Sequence, residues 1–314
     1  MRIPSTTRRG LTTVAALSLA AAALVACSPE EEGADGGSGD DTSAYQQLLD
    51  NGIVADDATV EANEWASAVR EAGVLTVGGT ETSELFSLLD PTTGVATGFD
   101  AALSQLLSRY ILGEVNTDLQ QVTVDTREDL LETGAVDTIF ATYSITPERA
   151  ERVAFAGPYY SSQSGILVRS DNTEITGLDD LDGATVATQA ASTGVTVLEE
   201  FAPGATILEL PDHAQALAAV QQGNADAYVI DQSLLLNAVV TNDDVQIVGE
   251  PFGPGDNYGI GLPKDSDAQE FVNDWLQQVI DDGTWAELWQ ITIGDRADID
   301  TAPEPPEIGS VEGS

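Results

Sequence analysis

Hydrophobic and polar positions switch between two periods along the middle of this chain. Trp65 and Val69 sit four apart in 62–72, as on one face of a helix. Leu103, Leu106, Leu107 and Tyr110 repeat at the same spacing after Gly98-Phe99-Asp100. Asp100 is expected to cap that helix. Further helices are expected over 44–50, 127–133, 194–201, 214–222, 271–280 and 285–289. Short apolar runs at 74–78, 119–124, 137–142, 165–169, 184–188, 206–210 and 227–230 read as strands, the first stopped by Gly78-Gly79. Strands alternating with helices predict an α/β fold, with mainly parallel sheets flanked by helices. Trp65, Trp275, Trp285 and Trp289 lie among apolar helical neighbours and are expected in the core.

Both ends of the chain lack this pattern. Arg2, Arg8 and Arg9 precede an apolar run from Leu11 to Ala23, the layout of an export signal over 1–26. That run is short for a membrane span, which needs about 20 apolar residues. Leu24-Val25-Ala26-Cys27 resembles a bacterial lipobox, and Cys27, the only cysteine, is expected to carry a lipid anchor. The acid-, Gly- and Ser-rich stretch to residue 43 reads as a disordered tether from 27 to 43. An acidic, Pro-rich tail is expected to be disordered over 296–314.

The net charge of the 314-residue chain is −42. Removing residues 1–26 leaves 8 basic against 53 acidic side chains, a balance of −45. That charge excludes nucleic acid and anionic lipid surfaces as partners. Phosphate-loop, H-E-x-x-H and G-x-S-x-G patterns are absent from the sequence. Asp179-Asp180-Leu181-Asp182-Gly183 lacks the alternation of a calcium loop and reads as a solvated turn. No metal and no cofactor is expected.

In so acidic a chain, Thr142-Tyr143-Ser144-Ile145-Thr146-Pro147-Glu148-Arg149 stands out. A guanidinium fits a carboxylate bidentately, and neighbouring hydroxyls accept polar hydrogens. The set suits the carboxylate and ammonium of a free amino acid; the bland reading of Arg149 is a salt bridge with Glu148 or Asp137. From about Glu71 to Gly294, several landmarks occur in the order of the family 3 solute-binding proteins. They include Gly98-Phe99-Asp100, Ser144 to Arg149, Phe155-Ala156-Gly157-Pro158-Tyr159-Tyr160, Gly223-Asn224-Ala225-Asp226-Ala227, Asp231 and Tyr258-Gly259-Ile260. The stretch 141–146 with 155–159 is most similar to glutamate-binding lipoproteins of actinobacteria.

The resemblance implies a two-lobed type II periplasmic-binding fold. One lobe would comprise 44–158 and 259–295, the other 164–253, with a two-strand hinge at 159–163 and 254–258. It implies a monomeric, membrane-anchored, extracytoplasmic protein of a Gram-positive cell that captures a polar amino acid, glutamate foremost, for ABC permease subunits. A glutamine or aspartate receptor, an enzyme of the cyclohexadienyl-dehydratase type and a sensor are the alternatives. By the same resemblance Arg149 would clamp the α-carboxylate with Ser192 and Thr193. Asp231, the Ser144 hydroxyl and the Thr142 carbonyl would take the ammonium. Arg127 would meet a side-chain carboxylate, Phe86 would lie against the ligand's aliphatic part, and Thr146 belongs to the same motif. Ala191 stands where the family has glycine, and Glu84 and Ser87 replace its usual approach to the ring. Among the residues themselves, Arg127 also reads as paired with Asp125 or Glu128, Asp231 as a helix cap, and His213 as a capping or packing residue.

Overall fold

The computed structural model describes residues 38–314. The expected export signal, the lipidation site Cys27 and most of the tether lie outside the described residues. The end of that tether, residues 38–43, belongs to helix α1 (Ser38–Asn51) instead. Tyr45, Leu48 and Leu49, within the helix expected over 44–50, are buried.

Two short helices follow, α2 (Asp57–Glu61) and α3 (Glu64–Ala72). The Asn63 side chain caps α3 by accepting from the Ala66 N–H, and Gly73 ends it at φ 72°, where glycine has no Cβ to clash. Strand β1 (Leu75–Gly79) runs through both glycines expected to stop it. Three very short strands, β2 (Thr82–Ser83), β3 (Ser87–Leu89) and β4 (Ala96–Thr97), form a separate small sheet. Gly98 then opens α4 (Phe99–Leu112) at φ 125°; a Cβ there would lie 2.5 Å from the Phe86 carbonyl carbon. Asp100 makes no capping bond; its carboxyl turns inward to the Thr142 N–H and the Tyr159 hydroxyl.

The chain continues through β5 (Thr117–Gln121), α5 (Arg127–Glu132), β6 (Thr138–Phe140), α6 (Pro147–Arg152) and the long β7 (Ala154–Arg169). Next come β8 (Thr185–Gln189), α7 (Thr193–Phe201), β9 (Thr206–Leu210), α8 (His213–Gln221), β10 (Ala227–Asp231) and α9 (Gln232–Val239). A second long strand, β11 (Val245–Leu262), leads to α10 (Ala268–Asp281), α11 (Thr284–Trp289), a π-helical turn and α12 (Asp295–Ala297).

One sheet of order β5-β1-β6-β11-β7-β10-β8-β9 spans the fold. Its ends, β5-β1-β6 and β10-β8-β9, are parallel. Its middle, β7 against β11, is antiparallel from Arg169↔Val245 to Ala154↔Leu262, with register shifts between Val248 and Ile260. Two lobes are thus strung on two shared strands. The first lobe holds β1, β5 and β6 over a core containing all four tryptophans. The second holds β8, β9 and β10 between two smaller, mainly aliphatic cores. Periodicity marks only five residues of β7 and none of β11, because Ser161-Ser162-Gln163-Ser164 and Pro251-Phe252-Gly253-Pro254-Gly255 read as loop.

The C-terminal segment also departs from expectation. Ala302, Ile308 and Val311 pack against the first lobe, and the Gly309 N–H donates to the Gly157 carbonyl at 2.8 Å. Isolated apolar residues among acids and prolines anchor it, a spacing with no helical or strand period. Among the described residues, no helix is long and apolar enough to cross a membrane.

Candidate functional site

The residues beyond position 27 include eight basic ones. Six of these side chains are tied to acids or backbone carbonyls and do not line the main cavity. Arg70 meets Asp57, Arg152 meets Asp129 and Glu132, Arg169 meets Asp171, and Arg296 meets Glu84. Arg109 and Lys264 donate to the Gly52 and Ala150 carbonyls. The remaining two, Arg127 and Arg149, line one cavity of about 180 Å³ between the lobes. Thr142, Ser144, Ser192, Thr193 and Asp231 line it too.

Arg149 is aimed by the turn that begins its helix. Pro147 opens α6 and Thr146 caps it, accepting the Arg149 N–H at 3.2 Å. Thr146 is therefore engaged as a cap and does not line the cavity. The Arg149 guanidinium donates to the Ser144 carbonyl at 2.9 Å and, across the cleft, to the Ala191 carbonyl at 3.2 Å. Ala191 has φ 57°, a left-handed conformation that glycine would take without strain. The carboxylate near Arg149 is Glu128, at 3.9 Å, rather than Glu148 or Asp137.

Arg127 starts α5 and is only 3% exposed. Its guanidinium lies 3.7 Å from the Tyr143 ring centroid, donates to the Ala141 carbonyl at 3.3 Å and stands 3.8 Å from Glu128. Nε has no acceptor. Burial and the neighbouring Arg149 lower its pKa to about 10, which leaves it charged at neutral pH. The Tyr143 hydroxyl donates to Glu128 at 2.6 Å, so one carboxylate organises both arginines.

The opposite wall is anionic and hydroxylic. Asp231, at the end of β10, accepts the Tyr258 hydroxyl at 3.0 Å on one oxygen, while its other oxygen has no donor. It makes no helix-capping bond. Burial first, and then the Asp256 carboxyl, raise its pKa well above the usual carboxylate range. The N-terminus of α7 ends on the cavity at Ser192 and Thr193, placing the positive end of the helix dipole there. The Ser192 hydroxyl donates to the Gln189 carbonyl and the Thr193 hydroxyl to Asp256. Thr142 sits at φ 43°, held by Asp100 through its N–H.

Phe86 is not on this wall. It is buried edge-on against Tyr160, Phe99 and Tyr258, and the apolar surface of the cavity comes from residues such as Val122, Ile230 and Leu234. His213 is on the wall, though its sequence context points to capping or packing. Asp212 caps α8, the ring of His213 meets the Tyr228 hydroxyl at 3.2 Å, and burial lowers its pKa to about 4. Its role is not legible in sequence because the chain brings α8 to the cleft only through the fold. Among the described residues, no group of three or more His, Cys, Asp or Glu could hold a metal ion.

The arrangement presents two guanidiniums on one side, and a helix N-terminus and a carboxyl with a free oxygen on the other. The sequence pattern of the bacterial extracellular solute-binding proteins, family 3, matches residues 75–293. The chain belongs to that family. It is 34% identical over 200 residues to the glutamine-binding protein of Geobacillus stearothermophilus, covering 63% of this chain and 76% of that protein. It is 29% identical over 252 residues to the glutamate-binding protein GluB of Corynebacterium efficiens, covering 76% and 85%. A solved structure of the solute receptors for L-cysteine of Neisseria gonorrhoeae aligns with a TM-score of 0.72 at 24% identity, covering 77% of this chain and 99% of that one. The two-lobed α/β architecture expected from the resemblance is thus the architecture of the family 3 proteins to which this chain belongs.

Proposed function

We propose that this family 3 protein is the substrate-binding component of an ABC importer and that its ligand is glutamate. The observation that carries the choice of ligand is Arg127, a second buried guanidinium on the cavity wall, with a nitrogen that has no acceptor. Burying a charge without a full set of partners is unfavourable, and a ligand carboxylate supplies the missing acceptor. A glutamine amide oxygen supplies an acceptor without charge. The relatives named for glutamine and glutamate support the amino-acid class and leave both side chains open.

In this reading the α-carboxylate meets Arg149 and the N-terminus of α7. The ammonium meets Asp231, the Ser144 hydroxyl and the Thr142 carbonyl, three acceptors for three hydrogens. The side-chain carboxylate meets Arg127. Closure bends β7 and β11, the two strands shared by both lobes, and the ligand bridges the walls. Every polar group in this scheme has a binding role, which favours a receptor over an enzyme. Lipidation at Cys27, delivery to permease subunits at the outer face of the membrane and a monomeric state belong to the same proposal.

The test is a thermal-shift screen against the twenty amino acids, since a ligand that binds only the folded protein raises its midpoint. The expected outcome is the largest shift with glutamate and a smaller one with aspartate. A larger shift with glutamine than with glutamate would remove Arg127 from the side-chain contact.

A further inference from the structure

We propose that Asp231 and Asp256 form a proton-sharing carboxyl pair at the ammonium end of the cavity, and that capture of an amino acid expels the shared proton. The proposal rests on the amino-acid reading above and adds Asp256 to it.

The placement follows from the sheet. Strands β10 and β11 flank β7 on opposite sides, with Asp231 opposite Ser164 and Asp256 opposite Ser162. Opposed residues share a face of an antiparallel pair, and positions two apart on β7 share it again. Both carboxyls therefore emerge on one side of the sheet, over two small serines. One oxygen of each is already engaged: Tyr258 donates to Asp231 at 3.0 Å and Thr193 to Asp256 at 2.8 Å. The other oxygen of each is buried and accepts from no protein donor. The two carboxyls lie within hydrogen-bonding range of each other.

No lysine, arginine or histidine of the described residues forms an ion pair with either acid. The groups facing Asp231 are Tyr228 on its own strand, Tyr258 and Asp256 on β11, and Arg149 on α6. Those facing Asp256 are Asp231, Tyr258, Arg127 on α5 and the Thr193 hydroxyl on α7. Two carboxyls that meet oxygen to oxygen do not both ionise in a buried site; they hold one proton between them. Burial and Asp256 raise the pKa of Asp231, in keeping with that arrangement.

An α-ammonium brings one positive charge and three donors to the same place. Both carboxylates then ionise, the ligand keeps its three hydrogens, and one proton leaves to solvent. Ammonium and proton compete, so the dissociation constant rises as pH falls below the pKa of the pair, approaching tenfold per pH unit for one proton.

The experiment is titration calorimetry of the protein with L-glutamate and L-glutamine at pH 5–8, in phosphate and in imidazole buffers, whose ionisation heats differ. The expected result at the acidic end is release of about one proton per ligand, with affinity falling toward low pH. Asp256→Asn should bind more weakly and release no proton, since its amide donates to Asp231 and leaves it ionised. Heats that do not depend on the buffer across pH 5–8 in the wild-type protein would overturn the proposal while leaving the amino-acid reading intact. Proton release that survives in Asp256→Asn would overturn the role of Asp256 in the same way. No binding heat with either ligand would remove the amino-acid reading and the pair's role together.

Discussion

The two lobes meet the same cavity with opposite materials. The first lobe has an aromatic core, with Trp65, Trp275, Trp285 and Trp289 joined by Phe86, Phe99, Tyr159 and Tyr258. The second has aliphatic cores in which Tyr228 and Phe252 are the only buried aromatic residues among those described. The first supplies both cavity arginines, and the second supplies Asp231, His213 and the start of α7. Burying two guanidiniums side by side calls for a stiff, polarisable surround, which Tyr143 and Glu128 provide in the first lobe. Of the acceptors proposed for the ammonium, the lighter lobe provides Asp231 at the end of β10, and the first lobe Ser144 and Thr142. Closing the cleft therefore brings a cationic wall to an anionic one, the complement of a zwitterion.

The harshest challenge to this division of labour is to remove the cationic clamp. Arg149→Ala should leave a folded protein and weaken glutamate by about 3–5 kcal/mol in calorimetry. Trp285→Ala attacks the aromatic core, where the indole donates to the Tyr159 carbonyl at 2.8 Å and packs on Phe99. It should lower stability by about 3–5 kcal/mol in denaturant unfolding. Because β7 and β11 thread both lobes, a single unfolding transition is expected in scanning calorimetry of this variant.

The lobes also differ in acidity, since burial shifts Asp100 in the first and His213 in the second in opposite directions. Asp100 in the first lobe has its pKa raised to about 7 by burial. Its contribution to stability is full below the unfolded carboxylate value of about 4 and is lost as pH rises through about 7. His213 in the second lobe has its pKa lowered to about 4, also by burial. Its contribution is full above the unfolded value of about 6.5 and is lost as pH falls through about 4. Every tenfold difference in proton affinity between the folded and unfolded chains corresponds to about 1.4 kcal/mol. Relative to wild type, Asp100→Asn should lose less stability between pH 4 and 7 on the alkaline side, and His213→Gln less on the acidic side. Chemical unfolding at four or five pH values reads both slopes.

A smaller effect separates the two arginines. Arg127→Ala should weaken glutamate ten- to a hundredfold, or about 1.4–2.8 kcal/mol, and glutamine much less. Equal losses for both ligands would make Arg127 a support for Tyr143 rather than the reader of the side chain. Smallest of all, Ile166→Val in the second lobe should lower stability by about 1 kcal/mol.

The helices were legible because one buried face leaves a mark every 3.6 residues, and parallel strands such as β6, β8 and β10 because burial on both faces makes them short apolar runs. The long hinge strands were not, since Ser, Gly and Pro become strand there only by pairing between segments far apart in the chain, as in Tyr160 with Tyr258. Arg149 stood out as a rare positive charge at the end of an apolar run, whereas Asp231, one acid among 53, was picked out only by the family resemblance. The role that the resemblance implied for Phe86 is not what the packing shows, and the run Leu85-Phe86-Ser87-Leu88-Leu89 looks the same in sequence whether its ring faces a ligand or the core. Asp100 looked like a cap from its place at the start of a helix, yet its partners lie 42 and 59 positions away. His213 read as a capping or packing residue and does pack on Tyr228, but its place on the cavity wall, like that of Asp256 beside Asp231, arises only when distant strands and helices converge.

The bond from Arg149 to the Ala191 carbonyl ties holding to opening. The group proposed to grip the ligand is also gripped by the opposite wall, alongside a second cross-cleft contact from Asn237 to the Leu85 N–H at 2.7 Å. Grip and closure then behave as a logical AND: separating the walls strips the guanidinium of its far-side partner at the same moment the ligand loses its second wall. A membrane partner that does nothing more than pry the lobes apart would thereby discharge the cargo, with no need to touch it.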